Sequence, residues 1–142
     1  MPPTIQKSVG FTGTREGMSD FQKQSLFYRL GLLRPQFEWF HHGDCRGADA
    51  EAHEIAKSLG YKIALHPPTT AVISTRAFCK GVDYFFVEAP YLDRNRGIVN
   101  ESALLLAAPR TMQEVLRSGT WATVRYARKC DRPITILARE EK

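Results

Sequence analysis

Short apolar runs of strand length alternate with amphipathic runs of helix length along almost the whole chain, and that alternation restricts the folds open to it. "IQKSVGF" predicts a first strand ending at Phe11. "SDFQKQSLFYRLGLL" follows, with Leu26, Phe27, Leu30 and Leu33 at helical spacing. Ser19 and Gln22 match a capping box at its start. "FEWFHH" reads as a second strand, "ADAEAHEIAKSLG" as a helix that Gly60 ends, and "YKIALH" as a third strand. Residues 67 to 90 are rich in proline, threonine and aromatics and read mostly as loop. "LDRNRGIVNES" predicts a short helix, and the continuous apolar run "ALLLAA" suits a central parallel strand. "GTWATVRYARKC" is a helix and "PITILA" a fifth strand. The pattern predicts an α/β domain: a five-stranded, mostly parallel sheet with right-handed crossovers and helices on both faces. No repeat or linker divides it, so residues 1–142 read as one domain.

In an open parallel sheet, ligands bind beyond the carboxyl ends of the strands. The segments after the first four strands are chemically loaded: "TGTREG", "GDCRGAD", "HPPTT" and "APRTMQEVLRSGT". The segments expected at the opposite edge, "GLLRPQ", "SLGY" and "KCDRP", are plain connectors. That asymmetry points to a site at the carboxyl edge.

Each motif has a functional and a plain reading. Gly13 and Gly17 permit close backbone approach, and Thr12, Thr14 and Arg15 offer donors to phosphate. The alternative is a strand-to-helix turn with a solvated arginine. Ser118, Gly119 and Thr120 stand where a helix begins, where free N–H groups favour an anion. Ser118 serves equally as an N-cap, and the two roles are compatible. Gly43 and Gly47 shape the turn that holds Asp44, Cys45 and Arg46. Arg46 can reach a phosphate or a base edge. Asp44 repels phosphate and better suits a ribose hydroxyl or a base amine. Asp49 is either a first-turn acid or a ligand group, and Cys45 a small filler or a nucleophile. Arg94 and Arg96 flank Asn95, as a clamp for an anion or as a solvated helix start. Trp121 is a core residue or a stacking platform. His53 reads as packed. His41 and His42 point to opposite faces of a strand and make a poor metal pair, so no metal is expected.

No apolar run approaches the roughly 20 residues of a membrane span. "MPPTIQKSVGF" lacks the apolar core of a secretory signal. Three cysteines without CxxC spacing argue for reduced thiols in a cytoplasm. The net charge of +5 favours anionic partners without choosing among them.

The set "GFTGTREGMS", "HHGDCRGADAEAH", "RNRGIVNES" and "SGTWATVRYARKCDRPITIL" resembles the SLOG superfamily. That superfamily includes the DNA-processing protein DprA, the LOG phosphoribohydrolases and the small YspA-like proteins. The match covers nearly the whole chain and is least clear over residues 69 to 90. It implies a Rossmann-like sheet of strand order 3-2-1-4-5 and a nucleotide or nucleotide-derived ligand. It also implies a ligand- or phosphate-binding set: Gly10, Thr12, Gly13, Thr14, Arg15, Gly43, Asp44, Cys45, Arg46, Gly47, Asp49, Arg94, Asn95, Ser118, Gly119 and Thr120. It implies no single reaction, because the superfamily mixes enzymes, DNA binders and sensors.

LOG enzymes carry a PGGxGTxxE motif. Here Thr123 stands where the glutamate should be, and the first proline and paired glycine are absent. Hydrolysis would need another carboxylate, with Asp44 and Glu51 the catalytic candidates. A DprA-like groove wants aromatics along a basic track. Tyr84, Phe85, Phe86 and Tyr91 supply aromatics, but the basic residues are spread along the chain. The ranking is therefore a nucleotide-binding module first, an N-glycosidic hydrolase of nucleoside monophosphates second and a single-stranded nucleic-acid binder third. No cofactor or membrane is expected. SLOG relatives often pair, and "YFFVEAPY" is apolar enough to cover a partner, so a homodimer is expected.

Overall fold

The computed structural model describes residues 1–70 and 72–141. Ten main elements follow in order: β1 (Ser8–Gly13), α1 (Asp20–Leu33), β2 (Trp39–His42), α2 (Ala48–Ser58), β3 (Lys62–Leu65), β4 (Tyr84–Phe85), α3 (Tyr91–Asn100), β5 (Leu104–Ala108), α4 (Gly119–Lys129) and β6 (Ile134–Ile136). The strands form one parallel sheet in the order β4-β3-β2-β1-β5-β6.

Five of these strands keep the anticipated order. The sixth, β4, is a correction: it lies in the stretch expected to be loop. It pairs with β3 through Ala64–Tyr84 and Leu65–Phe85. Side chains on either side hold so short a strand in register. Asp83 accepts the Ile63 N–H at 2.8 Å, and Phe86 stacks on His66 with ring centroids 4.1 Å apart.

Helices α1 and α2 cover one face, where Leu26, Leu30, Phe11, Phe40 and Ile63 are fully buried. Helices α3 and α4 cover the other, over Ile98, Val99, Leu105, Val124 and Ala127. The two-residue period of β5 explains the split: Leu106 and Ala108 enter the first cluster, Leu105 and Ala107 the second. Each fully buried Leu, Ile or Phe contributes about 1.5–3 kcal/mol. The helix ends follow local chemistry. Ser19 and Gln22 form the complete capping box of α1. Gly60, at φ 88°, ends α2, with its N–H on the Lys57 carbonyl and that of Tyr61 on the Ala56 carbonyl. Among the described residues no helix is long and apolar enough to cross a membrane.

The chain runs outward from β1 through β2, β3 and β4, then returns through α3 to place β5 on the other side of β1. The strand order reverses there, and the crevice at that point opens at the carboxyl edge.

Candidate functional site

A cleft of about 500 Å³ lies at this reversal. Thr12 and Gly13 at the end of β1 and Thr14 to Glu16 just after it enter the cleft, as do Gly43, Cys45 and Asp49 after β2. The segment after β5 contributes Arg110, Thr111, Val115 and Arg117, then Ser118 to Trp121 at the start of α4. Tyr91, Arg94, Asn95 and Ile98 of α3 close the remaining side. Three of the four loaded segments thus share one cleft. "HPPTT" backs it: the His66 carbonyl accepts from Arg94 at 3.2 Å.

One end of the cleft offers donors. Ser118 caps α4, its hydroxyl accepting the Trp121 N–H at 3.2 Å. The N–H groups of Gly119 and Thr120 have no acceptor among the described residues. A side chain at Gly119 would meet only open space. The Trp121 indole N–H bonds the Thr111 carbonyl at 3.2 Å, so this buried residue anchors the preceding loop while lining the cleft. Arg15 lies over the Tyr91 ring, 5.2 Å from its centroid. Neither Arg15 nor Arg117 joins an ion pair among the described residues. Arg110 pairs with Glu16 at 2.9 Å, but both are more than half exposed, so the pair contributes little.

The other end is built on a buried cation. Arg94 is 5% exposed. Its guanidinium donates to the carbonyls of Gly43 and His66, to Asn95 Oδ1 at 2.8 Å and to Cys45 Sγ at 3.5 Å. A side chain at residue 43 would run into this guanidinium, hence Gly43. No carboxylate pairs with Arg94 among the described residues, so its charge, held by neutral acceptors, remains to bias the cleft toward anions. Asp49 lies nearby, with Oδ2 accepting the Cys45 N–H at 3.1 Å. Burial pushes its pKa up to about 6, against the pull of Arg94 and of the Cys45 and Gly43 amides. Burial, and then Asp49, also raise the Cys45 thiol, which therefore stays protonated and is a poor nucleophile.

Several sequence candidates are placed elsewhere. Gly10 sits within β1, where a side chain would strike Ser102 Oγ at 2.7 Å and Ile98 at 3.1 Å; it admits α3 rather than a ligand. Asp44 is buried and turned the other way. It holds Arg76 at 2.7 Å and accepts the N–H groups of Phe78 at 3.2 Å and Cys79 at 2.9 Å. Cys45 and Arg76 form an antiparallel bridge, so Cys45 points inward and Arg46 outward to solvent. Gly47, at φ 85°, lies against the Arg15 carbonyl, which leaves no room for a side chain. Glu51 accepts the Met18 N–H at 2.7 Å and pairs with Lys23 at 3.2 Å. Arg96 lies over Tyr126 in a separate groove, so it forms no clamp with Arg94. Motif reasoning did not single out Arg110, Arg117 or Glu16. All three lie in segments already marked as loaded, "TGTREG" and "APRTMQEVLRSGT", and that was the available signal.

His42, His53 and Cys79 bring three potential ligand atoms within 4.8 Å of one another. They do not fit a metal. The Asp44 N–H donates to His42 Nδ1 at 3.0 Å, which places the proton of His42 on Nε2. That proton bonds His53 Nδ1 at 2.9 Å, and His53 Nε2–H bonds the Lys80 carbonyl at 2.7 Å. A metal on His42 Nε2 would force the proton onto Nδ1, against the Asp44 amide. Burial also pushes the Cys79 thiol up to about 12. The trio is a directed hydrogen-bond chain.

No protein-family model and no curated protein matches the chain. Three solved structures resemble it closely in shape. The molybdenum cofactor binding protein from the phototrophic bacterium Rippkaea orientalis superposes with a TM-score of 0.70 at 18% identity, covering 96% of this chain and 77% of that one. DNA processing protein A from Helicobacter pylori, described for its single-stranded DNA binding mode, gives 0.66 at 20%, covering 96% and 67%. The Moco carrier protein from Chlamydomonas reinhardtii gives 0.61 at 23%, covering 93% and 76%. At these identities the likeness is one of fold: the chain shares a Rossmann-like α/β fold with these proteins.

Proposed function

We propose that the cleft binds a nucleotide or nucleotide-derived ligand, with an anionic group at the start of α4, and that the chain acts as one such binding domain. The observation that carries this is the pair of amides at Gly119 and Thr120, without acceptors among the described residues, sharing a cleft with Arg15 and Arg117, which form no ion pair among those residues. The volume of about 500 Å³ suits a ligand of that size. The relatives in fold, named for binding a cofactor or single-stranded DNA, support a ligand role.

The test is a thermal-shift screen across nucleoside phosphates, cyclic dinucleotides, ADP-ribose derivatives and short oligonucleotides. A ligand at one hundred times its dissociation constant adds about 2.7 kcal/mol. Arg15→Ala or Arg117→Ala should then weaken binding about ten- to two-hundred-fold, with unfolding unchanged. No shift with any compound would overturn the reading.

A hydrolase is less well supported, because Asp44 and Glu51 are engaged in internal bonds outside the cleft. Release of free base by the wild type would reverse that ranking. One observation favours a single-stranded nucleic-acid binder. A groove of about 240 Å³ between α3 and α4, with Arg96 over Tyr126 and Lys129 beside them, meets the cleft at Asn95. Steep weakening of oligonucleotide binding with salt would identify that case. Exposed Phe27, Tyr28 and Leu32 on α1, with Phe85 and Val87 near β4, support a homodimer, to be checked by light scattering.

A further inference from the structure

We propose that Asp49 sets the polarity of the bound ligand. Its open carboxylate oxygen takes a hydrogen-bond donor of the ligand, a sugar hydroxyl or a ring N–H, and the anionic group is thereby held at the opposite end, against α4. This rests on the nucleotide reading of the cleft and adds which end of the ligand lies where.

Asp49 is 5% exposed and lines the cleft. Oδ2 is taken by the Cys45 N–H and the Gly43 amide also faces the carboxylate, but no hydrogen bond reaches Oδ1 among the described residues. Among those residues, the one side-chain polar atom both sealed from solvent and unpartnered is His41 Nε2. Asp49 Oδ1 therefore keeps some exposure, and the cleft is the cavity that Asp49 lines. A nearly buried carboxylate oxygen without a donor is costly, and a ligand O–H or N–H relieves that cost. A phosphate placed there would meet a like charge. The start of α4 has the amides of Gly119 and Thr120, with Arg117 in the segment before it, all suited to an anion.

The charged and titratable groups around Asp49 are Arg94 from α3, Arg15 and Glu16 from the turn after β1, Cys79 from the segment after Arg76, and Asp44 and Cys45 from its own turn. With the pKa of Asp49 at about 6, the two possible ligand orientations give pH responses of opposite sign. A donor on Asp49 prefers the ionised acid, so affinity falls as the pH drops through that value. A phosphate on Asp49 prefers the protonated acid, so affinity rises.

The experiment is calorimetric titration of the full chain with ADP-ribose from about pH 8 to about pH 5, a range in which its pyrophosphate does not titrate. Affinity is expected to fall toward acid in the wild type. In Asp49→Asn it should be about ten- to one-hundred-fold weaker at the alkaline end and independent of pH. The wild-type profile decides the question even if the variant does not fold. Titrations of 5′-AMP, its 2′- and 3′-deoxy forms and 5′-GMP at one pH separate the donors. Loss on removing a hydroxyl assigns the sugar, and a change with the base assigns the ring N–H. A flat or inverted pH profile, or equal affinity for all four nucleotides, overturns the proposal while leaving the nucleotide reading intact. No binding by the wild type of ADP-ribose or of any compound in the screen overturns both.

Discussion

Two turns of this protein look alike in sequence and differ in what they do. The turn from β2 into α2, "GDCRGAD", and the turn into α4, "RSGT", are both polar, glycine-bearing and set at the carboxyl edge. The first is filled from within. Asp44 holds Arg76 and two backbone amides, and Asp49 takes the Cys45 amide. The second keeps its donors free: Ser118 satisfies one amide, and those of Gly119 and Thr120 have no acceptor among the described residues. Polar density marks both turns equally. Internal partners decide which polar groups are latched, as Asp44 is, and which stay open to a ligand, as one Asp49 oxygen and the amides of Gly119 and Thr120 do.

Acid is the bluntest way to break the filled side. Burial holds His41 and His42 near a pKa of about 3 and His66 near about 2, well below their ordinary value of 6.5. A depressed folded-state value means stability that is whole above about pH 6.5 and lost as the pH falls toward those values. At about pH 5 each such histidine should cost about 2 kcal/mol. Asp49 runs the other way. Its raised value adds stability below about pH 4 that disappears as the pH rises through 6, so it offsets part of the loss. Urea midpoints across this range should fall with acidity; a flat profile would contradict buried neutral imidazoles.

Removing the latch comes next. Asp44→Ala leaves Arg76, only 20% exposed, without its counter-charge, and should cost about 3–5 kcal/mol. Because Thr75 Oγ1 bonds the Tyr91 hydroxyl at 2.9 Å, freeing this segment should also loosen the cleft wall, readable as faster amide exchange over residues 73–79. Gly47→Ala puts a side chain on the Arg15 carbonyl at positive φ, and about 1–3 kcal/mol is expected by denaturant titration. The donor turn should tolerate more. Ser118→Ala removes a cap worth about 1 kcal/mol. Gly119→Ala meets nothing and should change unfolding by no more than about 0.5 kcal/mol while weakening ligand binding. A Gly119 variant as destabilised as the Gly47 one would erase the distinction between the turns.

The five longer strands were legible because each is an apolar run bounded by turn residues, and α1 because its capping box is local. β4 was not, since Tyr84–Phe85 is too short for periodicity and depends on Asp83, Phe86 and the β3 edge. The carboxyl-edge location of the cleft was legible from the order of the elements. The assignment of Asp44, Arg46 and Glu51 was not. Asp44 finds Arg76 and Glu51 finds Met18, each more than 30 residues away, and no local motif reports such a partner. Arg94 read as an anion clamp or a solvated helix start because nothing nearby in sequence shows that its fork is seated on Gly43 and His66.

The pairing of β1 with β5 has a consequence for how the chain matures. Val9 meets Leu104 and Gly13 meets Ala108, so the centre of the sheet joins segments nearly a hundred residues apart. During synthesis β1 keeps one edge bare until β5 arrives, a topology that closes slowly. The cleft is formed at that seam, from Thr14 on one side and Gly119 on the other. A chain that stops short of α4 holds most of the core but lacks the amides of Gly119 and Thr120, so binding competence arrives only with α4.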